Sequence, residues 1–277
     1  MKARSARWST ELSVSPTNEN LDPSGPARHL DTMFPFRDHN PSERVPFVTI
    51  GLLILNVAVY LYLFPLYSDE RAIYSVFFDW GLVPGLVTDG RGYAGFVTYA
   101  FLHGGFMHLA GNMLFLWVFG DNLEDEMGHI PFLIFYIAAG ILAGVTQVVV
   151  SQGSYVPVVG ASGAVAGIMG GYLLLYPRAR VDVFFFFIIF FKIIPIPAWI
   201  VLGIWFGVQI INGTSGSADP VAYWAHAGGF IAGFLMVLPL WVRRGAQAFW
   251  ARSDGHPPHP ETKYRLQQSS IPVVRRR

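Results

Sequence analysis

Four polar residues with the chemistry of acyl transfer lie within strongly apolar stretches of the sequence: His108, Asn112, Ser162 and His226. A serine hydroxyl becomes a nucleophile when an adjacent base takes its proton, and a neutral imidazole, with an unperturbed pKa near ~6.5, is the natural base. The tetrahedral intermediate then needs donors aimed at the developing oxyanion. An asparagine amide, a second histidine and backbone N–H groups at a helix start can supply them. These residues therefore predict a serine hydrolase with a Ser162–His226 dyad.

The stretches that carry these residues are long and apolar enough to cross a membrane. The chain has 277 residues, of which 53% are hydrophobic and 13% charged, about half the charge of an average soluble domain. A ~30 Å hydrocarbon core takes ~20 helical residues. The sequence predicts an all-α membrane protein with a bundle of six transmembrane helices, at residues 46–66, 101–120, 130–150, 156–176, 197–211 and 221–242.

Lysine and arginine lie unevenly around these six spans. Of the 19 lysine and arginine residues, 17 lie on the same side as the two termini. Positive residues favour the cytoplasm. We expect a protein of a bacterial inner or plasma membrane with both termini in the cytoplasm. Its expected parts are a disordered tail at 1–45, the bundle at 46–242 and a basic tail at 243–277.

Two connecting segments are unusual. The connection 67–99 is rich in aromatic residues and is expected to form a semi-ordered interfacial lobe. Segment 181–194 is too short for a span and is interpreted as interfacial or re-entrant.

In this topology the polar residues lie at a common depth. His108, Ser162 and His226 each come about five to seven residues into spans that run inward from the outer face. At ~1.5 Å per residue, each lies ~8–11 Å below the outer surface. Gly163 and Gly229 belong to small-residue faces of the fourth and sixth spans, and such faces let helix backbones approach closely. Close approach would bring Ser162 and His226 within hydrogen-bond reach.

Other interpretations of these residues stay open. Membrane-embedded polar side chains can be packing contacts between helices, and interhelical hydrogen bonds are the interpretation of Asn56, Gln147 and Gln209. Two histidines and one asparagine offer only two good ligands for a transition metal, so a metal site is not expected. A small-solute transporter predicts a repeat across two halves, which the sequence lacks. No nucleic-acid partner is expected.

Three short motifs, in the same order and on the expected spans, resemble those of the rhomboid family of intramembrane serine proteases. The resemblance covers roughly residues 46–242. The motifs are Gly160-Ala161-Ser162-Gly163 on the fourth span, His103 followed by His108 and Asn112 on the second, and Ala225-His226 followed by Gly228-Gly229 on the sixth.

The resemblance implies roles for the four polar residues. Ser162 would be the nucleophile and His226 its base. His108 and Asn112, with the backbone N–H of Ser162, would form the oxyanion hole. The family cleaves transmembrane segments of other proteins near their outer ends and needs no cofactor, so the expected partners are transmembrane protein substrates and the lipid bilayer.

The resemblance also implies structural residues near the site. Gly160 and Gly163 would allow close packing around the nucleophile, and Gly229 follows the base. His103 would make a hydrogen bond to the first loop, and Glu124 would be structural.

One departure from the family concerns the base. Some members carry a tyrosine four residues after the nucleophile, against which the base stacks, and this chain has Ala166 there. Tyr223 or Phe230 is the candidate to orient His226 instead. The alternative function is a catalytically silent rhomboid-like protein that binds transmembrane helices. The presence of both Ser162 and His226 favours the enzyme.

Overall fold

Helices make up most of the chain in the computed structural model, which describes residues 44–187, 190–215 and 221–257. The predicted tails lie largely outside the described residues, at 1–43 and 258–277. The elements are α1 (Phe47–Leu63), α2 (Glu70–Trp80), α3 (Pro84–Thr88), α4 (Gly95–Thr98), α5 (Phe106–Met127), α6 (His129–Val150), α7 (Ser162–Leu175), β1 (Arg180–Phe187), β2 (Phe190–Pro197), α8 (Ala198–Thr214), α9 (Tyr223–Arg243) and α10 (Gln247–Ser253).

Three helical segments in the described ranges are long and apolar enough to cross a membrane: Phe47–Ser68, His129–Val150 and Tyr223–Arg243. Helices α7 and α8 are apolar but shorter, and α5 ends in two turns that carry four acidic residues. The mainly helical membrane class is therefore confirmed, while the number of six crossings stays a prediction.

Two of the expected spans begin later than the sequence predicted. Helix α5 begins at Phe106 rather than 101, and α7 begins at Ser162 rather than 156. Before α7 the chain is extended, with a β-bridge between Leu82 and Val158. Gly160 has φ +128°, a conformation that side-chain-bearing residues rarely adopt. A helix therefore cannot run through this position.

The segment interpreted as interfacial or re-entrant is a β-hairpin, which the all-α prediction did not contain. Strands β1 and β2 pair antiparallel from Arg180 opposite Pro197 to Phe187 opposite Phe190. Their sequence is dominated by valine, isoleucine and phenylalanine, the residues most enriched in strands. Hydrophobicity alone does not distinguish such a run from a short membrane segment.

Helix α7 forms the centre of the bundle, with 12 of its 14 residues buried. The glycines of α9 allow its backbone to approach that of α7 directly. A Cβ on Gly229 would lie 2.1 Å from the carbonyl oxygen of Gly163, and a Cβ on Gly233 would lie 1.9 Å from that of Gly167. The predicted close approach of these two small-residue faces is confirmed.

The connection between α1 and α5 is a folded lobe rather than a semi-ordered one. It contains α2, α3 and α4 and buries Leu82, Val83 and Tyr99. The carbonyl oxygen of Tyr99 accepts a hydrogen bond from the backbone N–H of Gly160 at 2.9 Å. The Tyr99 hydroxyl donates to the carbonyl oxygen of Gly140 on α6 at 2.6 Å. The lobe therefore holds the extended segment that leads into α7.

Glu124, near the end of α5, fixes the start of α1. Its buried carboxylate accepts hydrogen bonds from the backbone N–H groups of Val48 (2.8 Å) and Thr49 (2.7 Å) and from the Thr49 hydroxyl at 2.7 Å. His129 Nδ1 lies 2.6 Å from the same carboxylate. The first N–H groups of a helix have no acceptor within the helix. For α1, the Glu124 carboxylate on α5 is that acceptor.

Part of the predicted C-terminal tail is folded. Helix α10 follows α9, and Trp250 Nε1 donates a hydrogen bond to the carbonyl oxygen of Leu174 at 3.0 Å. The Trp250 ring packs on Trp241, with centroids 4.8 Å apart. An indole ring has a large apolar surface and one hydrogen-bond donor. In Trp250 the surface packs against α9 and the donor bonds to α7.

We expect Glu124→Gln to destabilise the protein by ~1.5–3 kcal/mol, the range for hydrogen bonds to a charged group. The substitution keeps the side-chain shape but places an NH₂ group against backbone donors. Thermal unfolding in detergent, followed by circular dichroism, measures the effect. Unchanged stability would contradict the role of Glu124 at the start of α1.

We expect Gly233→Ala to destabilise the bundle by ~1–3 kcal/mol, because the added methyl would overlap the backbone of α7. The matched control is Gly203→Ala on α8, where an added Cβ meets no atom within 4 Å. The same thermal unfolding experiment compares the two. Equal stability of the two variants would contradict the backbone contact between α7 and α9.

Candidate active site

The structure brings Ser162 and His226 into contact. Ser162 is the first residue of α7, and His226 lies in the first turn of α9. His226 Nε2 is 2.7 Å from Ser162 Oγ. The glycine contacts between α7 and α9 set the helix separation that allows this distance. A hydroxyl and an imidazole in this geometry can exchange a proton.

His226 also contacts two residues of α8 that the sequence analysis did not place in the site. Its Nδ1 lies 2.8 Å from Oε1 of Gln209, and its ring lies 5.8 Å from the ring of Trp205, at an interplanar angle of 31°. The sequence predicts an interhelical hydrogen bond for Gln209, and this contact between α8 and α9 confirms it, although the sequence does not indicate that the partner is His226. Trp205 and Gln209 are four residues apart and so share one helix face. That spacing was the available sequence signal.

The aromatic ring against the base is therefore neither of the two that the sequence predicted. Phe230 packs on Trp205, with centroids 6.1 Å apart, and on Phe206 at 4.8 Å. It supports the Trp205 ring from the side of α9. The prediction that Tyr223 or Phe230 orients His226 is wrong, because in the described part of the chain the aromatic ring that packs on the imidazole is that of Trp205 on α8.

His108 lies in the first turn of α5 and faces the segment that precedes Ser162. Its Nδ1 accepts a hydrogen bond from the backbone N–H of Gly104 at 3.3 Å. In the neutral ring the proton is then on Nε2. A Cβ built on Gly160 would lie 2.7 Å from His108 Nε2 and 3.5 Å from Ser162 Oγ. The missing side chain of Gly160 therefore leaves space between the imidazole and the hydroxyl.

Asn112 lies one turn after His108 and is 6% exposed. Its Nδ2 donates a hydrogen bond to the carbonyl oxygen of His108 at 3.1 Å. An amide nitrogen carries two protons, so this contact uses one and fixes the plane of the amide. Asn112 is thereby held on the helix face that carries His108.

The other predicted site residues pack around these groups. A Cβ on Gly163 would lie 2.6 Å from Cβ of Ala143 and 2.9 Å from the Tyr99 hydroxyl. His103 is 1% exposed, and its ring packs edge-on against His108 with centroids 5.3 Å apart. The contact of His103 with the first loop is made by its backbone carbonyl oxygen, which accepts from the Tyr67 hydroxyl.

Within the ranges that the structure describes, no group of three or more His, Cys, Asp or Glu side chains lies close enough together to hold a metal ion.

A family model described as the Rhomboid domain matches residues 90–243, more than half of the chain. The chain belongs to the rhomboid family. This range contains α5 to α9 and with them all the predicted site residues. Together with its long apolar helices, the family assignment makes this rhomboid an integral membrane protein.

Three relatives illustrate the similarity. The chain is 35% identical over 156 residues to "Rhomboid protease GluP" of Bacillus subtilis (strain 168), covering 56% of this chain and 27% of that protein. It is 33% identical over 145 residues to "Rhomboid protein 1, mitochondrial" of Saccharomyces cerevisiae, covering 49% and 38%. It is 31% identical over 87 residues to "Presenilin-associated rhomboid-like protein, mitochondrial" of Homo sapiens, covering 31% and 23%. The chain thus matches less than half the length of each of these relatives.

We expect Gly160→Ala to displace the His108 ring, because the new methyl would lie 2.7 Å from Nε2 and the position has a left-handed φ. The imidazole ¹⁵N resonances of His108 should shift, and stability should fall by ~1–3 kcal/mol. Gly105→Ala is the control, since a Cβ there meets no atom within 4 Å. Unchanged His108 resonances in Gly160→Ala would contradict this packing.

Proposed function

We propose that this rhomboid is an intramembrane serine protease that hydrolyses peptide bonds in or near transmembrane segments of other membrane proteins. The observation that carries the proposal is the 2.7 Å contact between Ser162 Oγ and His226 Nε2. The family assignment and the relative named as a rhomboid protease support it.

In the proposed mechanism, Ser162 attacks the carbonyl carbon of the scissile peptide. His226 Nε2 takes the hydroxyl proton and then gives it to the leaving amine, so the peptide C–N bond breaks and an acyl-enzyme ester forms. A water molecule, activated by the same imidazole, hydrolyses the ester and restores the serine. The reaction needs no cofactor.

We propose that His108, Asn112 and the backbone N–H of Ser162 bind the oxyanion of the tetrahedral intermediate. His108 contributes Nε2–H, because its Nδ1 accepts from Gly104. Asn112 contributes the second proton of Nδ2. The N–H of Ser162 lies at the start of α7, where the helix dipole favours negative charge. One such donor typically contributes ~10²–10³-fold to the rate.

We propose six membrane crossings, formed by α1, α5, α6, α7, α8 and α9, with both termini in the cytoplasm. The support is the excess of lysine and arginine on that side, 17 of 19. The first turns of α5, α7 and α9 then face outward, so water reaches Ser162 from the outer surface. The Bacillus subtilis relative supports a bacterial inner or plasma membrane.

We expect Ser162→Ala and His226→Ala each to lower the cleavage of a model transmembrane substrate by at least ~10⁴-fold, the order of magnitude for loss of a nucleophile or its base. The measurement is gel analysis of purified enzyme and substrate in lipid vesicles. Ser154→Ala, in the connection before α7, is the control and should cleave normally. Undiminished cleavage by either of the first two variants would contradict the assigned roles.

A fluorophosphonate probe separates the protease from the silent helix-binding alternative. Labelling that is present in the wild type and absent in Ser162→Ala supports the protease. If the folded wild-type protein is not labelled and does not cleave, while it still captures transmembrane helices, the binder is the better description.

A further inference from the structure

We infer that Gln209 is a positioning residue for the base: its side-chain carbonyl holds the proton of His226 on Nδ1 and so leaves Nε2 free to accept the proton of Ser162. This inference rests on the proposed protease function. It extends the predicted dyad to an ordered set from three helices, Ser162 on α7, His226 on α9 and Gln209 on α8.

The first step is the orientation of the Gln209 amide. Its Nε2 donates to the backbone carbonyl oxygen of Trp205 at 3.1 Å, while Oε1 faces His226 Nδ1 at 2.8 Å. A flipped amide would place Oε1 against the Trp205 carbonyl oxygen, and both atoms are acceptors. The helix that carries Gln209 therefore determines which atom of the amide faces the imidazole.

The second step is the tautomer of His226. The amide oxygen can only accept, so Nδ1 must carry a proton, and in the neutral ring Nε2 then has the lone pair. This nitrogen is the one 2.7 Å from Ser162 Oγ. In the opposite tautomer Nε2 would carry the proton and could not act as the base. Gln209 thus favours the form that can activate the serine.

The third step is the exclusion of other partners for Nδ1. Gln209 is 6% exposed, so water does not readily replace its carbonyl. Trp205 covers a face of the imidazole from the same side and is itself supported by Phe206 and Phe230. One turn of α8 therefore sets both the ring orientation and the proton position.

An amide suits this place better than the carboxylate of soluble serine proteases. A charged side chain within a membrane bundle is costly, whereas an amide with both of its polar atoms bonded is not. His108 on α5 is the other titratable side chain that interacts with His226 in the described part of the chain. The positive charge that His226 gains during catalysis is stabilised by the Gln209 amide dipole and by the oxyanion that forms at the same time.

Two substitutions separate positioning from packing. Gln209→Met keeps the length of the side chain but removes the acceptor. We expect a fall in kcat of about 10- to 100-fold, the loss for a hydrogen bond to a group that becomes charged, with KM within about twofold. Gln209→Glu retains an acceptor for Nδ1–H but loses the donor to the Trp205 carbonyl oxygen, so we expect it to keep the Nδ1–H tautomer and to lose less activity than Gln209→Met. A carboxylate there favours the protonated imidazole, so the acid limb of the pH–rate profile should move to higher pH.

The matched control is Gln147→Met on α6. Gln147 is also buried, but its amide contacts Ser151 and the backbone N–H of Ala225 rather than the imidazole. The control reports what the loss of a buried amide costs in stability, and its ¹⁵N spectrum should show His226 in the wild-type tautomer.

The readout independent of activity is ¹⁵N NMR of histidine-labelled protein in detergent. The wild type should show His226 mainly as the Nδ1–H tautomer, and Gln209→Met should show a substantial Nε2–H population. Wild-type kcat and tautomer in Gln209→Met would overturn the inference, as would equal loss of activity in Gln209→Met and Gln209→Glu. If the wild type does not cleave but its tautomer depends on Gln209, the positioning is supported and the protease proposal fails.

Discussion

The site depends on one contact, the direct backbone approach of α7 to α9. At Gly163 and Gly167 on α7, and at Gly229 and Gly233 on α9, no side chain separates the two helices. The resulting separation places a short serine side chain from one helix within hydrogen-bond distance of an imidazole from the other. A methyl group on Gly229 or Gly233 would overlap the backbone of α7 and push the two helices apart. Packing and chemistry are therefore set by the same few glycines.

The polar groups around Ser162 are connected to one another by hydrogen bonds. The chain of contacts runs from Ser162 on α7 to His226 on α9, then to Gln209 on α8 and to the backbone carbonyl oxygen of Trp205. A buried polar group without a partner is costly, and in a membrane water cannot readily supply one. Each member of this series satisfies its neighbour, so the arrangement that is suited to proton transfer is also one that the apolar surroundings tolerate.

The sequence predicted the residues better than it predicted the backbone. Motif spacing and small-residue faces were enough to pair Ser162 with His226, because both features are local on their helices. The interhelical hydrogen bond expected of Gln209 is confirmed, but its partner lies 17 positions away on another helix, and a lone glutamine does not reveal which neighbour it faces.

The backbone differences have physical causes too. Hydropathy does not register a φ of +128° at Gly160, so the start of α7 was placed too early. The hairpin of β1 and β2 was missed because aromatic and β-branched residues suit both a strand and an apolar interface.

The shortness of α7 has a consequence for how water reaches the bond to be cut. Fourteen residues at 1.5 Å each extend for ~21 Å, about 9 Å less than the hydrocarbon thickness. With its C-terminal end at the inner boundary, where Arg178 follows, the helix stops well short of the opposite headgroups. In the proposed orientation Ser162 therefore lies below the outer headgroups at the outward end of a short helix, and the proposed hydrolysis requires no enclosed tunnel.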